Sequence, residues 1–423
     1  MSTRALGALQ VAVLLISASY GIGFLFGSGE MALSHGMAGA LYGVATAAGM
    51  LVLALFARPL WLRGVPIWDL FGQRFGKPTQ GAVALLSLVW MAGVLAAQIH
   101  GGAAVMRLLG LASPWDHLVV LLLIYVATQL DLSAASRVFA ACLAASGLAL
   151  AYALFASEGL EVYRTALPSF VSDLSTLDPV RALTAAVAVS VLACLGADYH
   201  QFLVAARRPA DAVLGCVLAG FGLVLLAFLP PAVVVAMERA GALGDLADAK
   251  QVMPFLLARV AATLGPGADI VLLAALSLAA LGSGAAIARA MTSALAAIAP
   301  ARSVRLELSL PVIALAIGAA LAARGQGIID TMVSVNVIYI ASVAIPFVAL
   351  IARRAVPVQC ATAAMAGGLV ASVAAYGAGW VGLLDARIDT VSLLAGLGAS
   401  LLTAGAALVL TRANLPPIAA PRT

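Results

Sequence analysis

An all-α polytopic membrane protein of about twelve transmembrane helices is the fold class this chain predicts, and three observations predict it. Of its 423 residues, 64% are hydrophobic and only 10% are charged, far more apolar surface than a water-soluble core buries. Twelve apolar stretches follow one another, near residues 6–34, 37–57, 80–108, 115–131, 133–156, 181–204, 212–237, 268–298, 307–323, 327–351, 357–379 and 389–411, each long enough to cross a bilayer. The segments between them alternate in charge. One set holds Arg4, Arg58, Arg63, Arg74, Lys77, Arg137, Arg207, Arg208, Arg302, Arg305, Arg353, Arg354, Arg412 and Arg422. The other holds Glu158, Glu161, Asp173, Asp178, Glu238, Asp245 and Asp248. The positive-inside rule places both termini in the cytoplasm, in a bacterial inner membrane.

The first stretch is the least orderly. "SYGIGFLFGSGEM" carries Gly21, Gly23, Gly27 and Gly29 within nine residues and then Glu30. Each glycine weakens a helix by about 0.5–1 kcal/mol relative to alanine. Gly21 and Gly23 predict a break; Gly27 and Gly29 fit a break or close helix packing equally. In the third stretch, Gln98 shares a helix face with Gly101 and Gly102, and so points to a close-packed interior or to a solute. His100 lies on another face and takes no role.

The sixth stretch repeats the pattern of the first. In "ACLGADYHQFLVAARRP", Gly196 precedes Asp198, Tyr199, His200 and Gln201 well inside the span. Asp198 fits a proton relay, a partner for a substrate amine, or an acceptor for amides freed at a break. Tyr199 and His200 fit a gate or plain packing. Spans one and six lie an odd number of crossings apart, so they run in opposite directions. Interrupted spans at matching places in two inverted halves point to a secondary transporter's binding site.

Between spans seven and eight, "VMPFLLARVAATLG" predicts a short amphipathic helix lying on the outer face. Arg289 is the one basic residue well inside a span; Asn336 in span ten faces either a solute cavity or a neighbouring helix. The four cysteines, Cys142, Cys194, Cys216 and Cys360, sit in apolar segments without a C-x-x-C and predict packing rather than a disulfide or metal framework. The apolar run continues past Ser17-Ala18-Ser19, which argues against a signal peptide. There is no G-x-x-x-x-G-K-[ST] signature of ATP use. Nothing between the spans is long enough for a soluble domain, and the +5 net charge is distributed by loop. An enzyme or a nucleic-acid binder is therefore not expected.

Several stretches resemble the sodium/solute symporter family, part of the amino acid-polyamine-organocation superfamily with the LeuT-type fold. They are Arg74-Phe75-Gly76 and Gln98-Ile99-His100-Gly101 around the third span, "DYHQFLVAARRPADAVLG" at the sixth, and "LAALGSGAAIARAMTSAL" in the eighth. The resemblance covers about residues 10–350. It implies two inverted five-helix repeats, near 6–156 and 181–351, in a core spanning 1–355, with two further helices and a tail at 356–423. It implies alternating-access symport of a small organic solute with Na+ or H+, no other cofactor, and the bilayer as surroundings. The solute would sit among Gly21, Gly23, Phe24, Gln98, Asp198, Tyr199 and Asn336. Na+ would be held by carbonyls of Ser17, Tyr20 and Ala280 and by Ser283, with Gly284 standing where the family has a second hydroxyl. A membrane sensor that binds a ligand without moving it is the alternative function.

Overall fold

The structure, a computed structural model, describes residues 4–413 apart from 245, 247–248, 300–303, 323–327, 353–355 and 385–386. Of the charges used above for orientation, Arg302, Arg353, Arg354, Arg422, Asp245 and Asp248 lie outside the described residues. Nineteen α-helices are formed among those described: α1 (Ala8–Ser19), α2 (Ile22–His35), α3 (Leu41–Arg63), α4 (Ile67–Phe75), α5 (Lys77–Leu108), α6 (Trp115–Thr128), α7 (Leu132–Ala156), α8 (Leu160–Arg164), α9 (Ala166–Asp173), α10 (Pro179–Leu195), α11 (Ala197–Val204), α12 (Pro209–Ala227), α13 (Leu229–Arg239), α14 (Val252–Ala261), α15 (Ala268–Ile298), α16 (Val304–Ala322), α17 (Ile328–Ile351), α18 (Val358–Trp380) and α19 (Ile388–Ala413).

Every apolar stretch of the sequence coincides with one of these helices or with a consecutive pair. The first is α1 plus α2, the sixth is α10 plus α11, and the seventh is α12 plus α13, which meet at Phe228 just before Pro230-Pro231. Eight helical segments among the described residues are long and apolar enough to cross a membrane, and shorter apolar helices accompany them. The chain is therefore an integral membrane protein with the expected architecture. Large side chains such as Leu55, Phe155, Leu225 and Leu402 are exposed on the outside of the bundle, where hydrocarbon rather than water meets them.

The helices sort into groups by packing. α3 packs on α10 and α12, and α12 packs on α1; α5 packs on α15, α16 and α6. The C-terminal pair, α18 and α19, packs on α17, and α19 reaches α10. There Thr184 Oγ1 and Thr390 Oγ1 lie 2.8 Å apart, and Arg387 Nη2 meets Asp178 Oδ2 at 2.6 Å.

Four short helices depart from the sequence expectation. α4 forms within a loop, because Trp68, Phe71 and Phe75 share a face and are buried. α8 and α9 structure the long 157–180 loop, and Asp173 Oδ2 accepts the Met37 N–H at 2.8 Å, pinning α9 to the turn after α2. α14 does not simply lie on the surface. Val252, Met253, Leu256 and Leu257 are fully buried, and Met253 fills the notch left by Gly29 of α2.

One strap closes the end of the bundle that carries the N-terminus. Ala5 and Leu6 donate their N–H groups to Ala205 O at 3.0 and 3.1 Å, and Arg207 N–H returns to Leu6 O at 2.8 Å. Trp61 Nε1 donates to Ala206 O at 2.8 Å, while the Arg4 guanidinium lies 3.9 Å from the centre of the Trp61 ring.

Candidate functional site

Two chain breaks define the site. α1 ends at Ser19 and α2 begins at Ile22, with Tyr20 and Gly21 between them. The Tyr20 N–H makes the last helical bond, to Ile16 O. Beyond it the carbonyls of Ser17, Ala18 and Ser19 have no N–H four residues on in helical register, so they are available to a ligand. α10 ends at Leu195 and α11 begins at Ala197, with Gly196 as the extended hinge (φ −65°, ψ 116°).

Gly21 is required here by close approach. A Cβ on it would fall 2.6 Å from Ser283 Cβ and 2.8 Å from Gln98 Cδ. The break therefore brings α1–α2 directly against α5 and α15. Gly23, expected in the break, instead lies in the first turn of α2, and its N–H donates to Gln98 Oε1 at 3.4 Å. Gly27 and Gly29 lie inside the continuous α2, and Gly29 serves packing against α14.

The residues expected at the solute site come together in part. Gln98 is 2% exposed and meets the start of α2. Gly101 on the same face also meets α2, through Ile22, whereas Gly102 faces Val120 of α6. Phe24 stacks at a tilt on Tyr20 (centroids 5.1 Å apart) and edge-on to Tyr42 (6.0 Å). Tyr199 accepts a hydrogen bond from Ser19 Oγ at 3.3 Å, tying α11 to the end of α1. Asp198 is 1% exposed, and its Oδ1 has no hydrogen-bond partner. Asn336 is wholly buried, and neither amide atom has a partner. It sits three residues before Tyr339 and so on the same helix face. The Tyr339 hydroxyl donates to Leu195 O at the second break, at 3.3 Å.

Other expected residues serve structure. His200 Nε2 binds Cys194 O at 2.8 Å, and the ring stacks on Phe347. Gln201 Nε2 donates to Asp198 O and Ala286 O. Arg289 spends its guanidinium on the C-terminal carbonyls of α6: Ala127 at 2.8 Å, Thr128 at 3.0 Å and Leu130 at 2.5 Å. It thus places its positive charge at the carbonyl end of that helix. Glu30 is only partly buried. Sequence reasoning did not single out Tyr42 and Tyr339, nor the ring of Tyr20, which stand at the two breaks; a tyrosine inside an apolar helix gives no hint of which face it occupies.

A small cavity adjoins the first break. Ser17 and Tyr20 line it from α1, Phe139 and Cys142 from α7, and Ala279 and Gly282 from α15. The sequence register for α15 needs correction here. Gly282 is the residue that faces Ser17, with a Cβ there falling 2.8 Å from Ser17 Cβ and 3.2 Å from Ser17 O. Gly284 points away, towards Ile124 of α6. One residue is 100° of helix, so two residues carry Gly284 to the far side. Ser283, between them, faces Gly21.

Comparison with solved structures places the fold. A Na+-coupled sialic acid symporter superposes with a TM-score of 0.72 at 12% identity, covering 95% of this chain and 90% of that one. The manganese transporter of Eremococcus coleocola gives 0.62 at 14% identity, covering 96% and 94%. A nucleobase-cation-symport-1 family transporter holding bromovinylhydantoin gives 0.59 at 14% identity, covering 98% and 95%. The chain has the LeuT-type fold. No family model matches it, and no curated protein matches it in sequence.

Proposed function

We propose that this chain is a secondary active transporter that carries a small organic solute together with a cation by alternating access. The observation that supports this most directly is the pair of breaks, at Tyr20–Gly21 and Gly196, joined by the Ser19–Tyr199 hydrogen bond. Unwound backbone deep in a membrane protein is tolerated where it lines a cavity or binds an ion. Here Ser17, one of the residues whose carbonyl is freed at the α1 end, lines the small cavity against α15, and a hard cation takes oxygen ligands of this kind.

In this reading Na+ is held by carbonyl oxygens of Ser17 and Tyr20 and by oxygens of α15 around Ala279, Ala280 and Ser283. Gly282 leaves the α1-facing position without a hydroxyl. The solute sits across the breaks, among Gly21, Gly23, Phe24, Gln98, Asp198, Tyr199 and Asn336. α1–α7 and α10–α17 act as the two inverted repeats, and α18–α19 are an addition to that core. Both termini face the cytoplasm of a bacterial cell.

The test is the melting midpoint of the purified protein in NaCl against equimolar KCl, repeated from about pH 5 to 8. A ligand bound only by the folded state adds RT ln(1 + [L]/Kd), about 2.7 kcal/mol at a hundredfold excess over Kd. A rise specific to Na+ supports sodium coupling. No Na+ effect at any pH refutes it, and a solute that then stabilises in a pH-dependent way moves the coupling to protons.

A further inference from the structure

We infer that the solute held between the two breaks is a small organic cation, a protonated amine or a quaternary ammonium, rather than an acid or a zwitterion. The inference takes the location of the site from the transport reading above and adds the charge of its occupant.

Asp198 supplies the charge. It is 1% exposed, its Oδ1 is without a hydrogen-bond partner, and it takes part in none of the ion pairs among the described residues. A carboxylate at membrane depth with no cationic side chain paired to it is expensive, so a partner of opposite sign belongs beside it. The adjacent His200 does not serve, because its Nε2 is committed to Cys194 O.

The surroundings suit an ammonium ion. Tyr199 follows Asp198 directly and meets Ser19 at the end of α1, and the Tyr339 hydroxyl donates to Leu195 O at the same break. Tyr20, Phe24 and Tyr42 continue as a run of contacting rings from the first break. Aromatic faces attract cations, most strongly where water is excluded. The C-terminal ends of α1 and α10 add partial negative charge from their freed carbonyls.

What an anionic solute would need is already taken. Two half-helix N-termini reach the site; an amide oxygen of the protein answers that of α2, and a carboxylate stands in the first turn of α11. Gln98 Oε1 accepts the Gly23 N–H at the start of α2. Asp198 lies in the first turn of α11. A solute carboxylate would have to displace the Gln98 amide oxygen and would then face Asp198 with like charge.

The experiment uses the full-length protein in detergent and measures the shift in melting midpoint, at constant ionic strength, for two matched series. One is butylammonium, norleucine and pentanoate; the other is phenethylammonium, phenylalanine and 3-phenylpropanoate. Tetramethylammonium is added as the quaternary member. The expected result is stabilisation by at least one organic cation and by neither its zwitterion nor its acid. Asp198→Asn weakens that cation's apparent Kd by about 30-fold or more. Asp198→Glu, which keeps the charge, retains part of the affinity, and an unchanged Na+ response shows that the variants fold.

Stabilisation by the zwitterion or the acid, with the cations silent, overturns the inference. So does a Na+ response without any organic-cation response, a result that leaves the transport reading standing. Organic-cation binding that depends on Asp198 without any Na+ response upholds the inference while removing sodium coupling.

Discussion

Replacing Gly282 with serine puts a hydroxyl where α15 meets the freed carbonyls of α1, and the structure sets what this does. The new Cβ would lie 2.8 Å from Ser17 Cβ and 3.2 Å from Ser17 O, so the end of α1 has to yield by a few tenths of an ångström. Overpacking of that kind costs about 1–3 kcal/mol, but it acts on the ion-free and ion-bound protein alike. The added oxygen acts only on the bound state. One further ligand worth about 1.4 kcal/mol tightens Na+ about tenfold. The two effects separate in a titration of melting midpoint against the logarithm of Na+ concentration. The Gly282→Ser curve starts lower and begins to rise at about one-tenth the Na+ concentration. Gly284→Ser also overpacks, since its Cβ would fall 2.8 Å from Ile124 Cδ1, yet it leaves the Na+ dependence unmoved. If Gly284→Ser tightens Na+ and Gly282→Ser does not, the orientation of α15 described above is wrong.

Three further outcomes are expected. Gly21→Ala forces a methyl to within 2.6 Å of Ser283 Cβ; it costs about 1–3 kcal/mol and abolishes solute flux in proteoliposomes, and normal flux would remove the break from the site. Arg289→Met deletes three bonds to the end of α6, destabilising the protein by about 2–4 kcal/mol after allowance for water reaching a partly exposed group; Na+ and organic-cation affinities stay as they are, and a lost Na+ response would give Arg289 a direct role. Asp178, at the exposed start of α10, is held below the usual carboxylate range by the Arg181 N–H, with Arg387 adding to it. A depressed folded value contributes stability above the unfolded value of about 3.9 and loses it as the pH falls through the folded one. The melting gap between wild type and Arg387→Ala is therefore full near neutrality and closes in strong acid, and a gap independent of pH would exclude the ion pair as its cause.

The architecture was legible because bilayer thickness and backbone satisfaction leave a span few options. Length and hydropathy located every helix pair, and the clustered glycines with Asp198 located both breaks. What stayed hidden was rotation about the helix axis. In "LGSGAA" nothing distinguishes Gly282 facing Ser17 from Gly284 facing Ile124, because a helix surrounded by other helices has no polar face to set its phase. The same blindness hid the burial of α14: its apolar face reads equally as lying on lipid or filling the notch at Gly29. Arg289 was conspicuous in sequence, yet its partners are backbone carbonyls, which a sequence does not display. Asp198 and Gln98 were visible as polar residues in spans, but only the structure sets one at the head of α11 and the other against α2.

The strap at the N-terminal end of the bundle couples pieces that an alternating mechanism has to separate. Ala5 and Leu6 lead directly into α1, while Ala205 and Arg207 follow directly from α11. Two half-helices, one from each broken span, are thus stitched by a few backbone bonds, with Trp61 at the end of α3 holding the stitch. Backbone bonds of this kind contribute about 1 kcal/mol each once water is free to replace them. On the transport reading proposed above, a clasp of this strength holds one mouth shut and parts without a large cost. α1 and α11 then turn about Gly21 and Gly196, so the breaks proposed to hold the solute also serve as the pivots of its release.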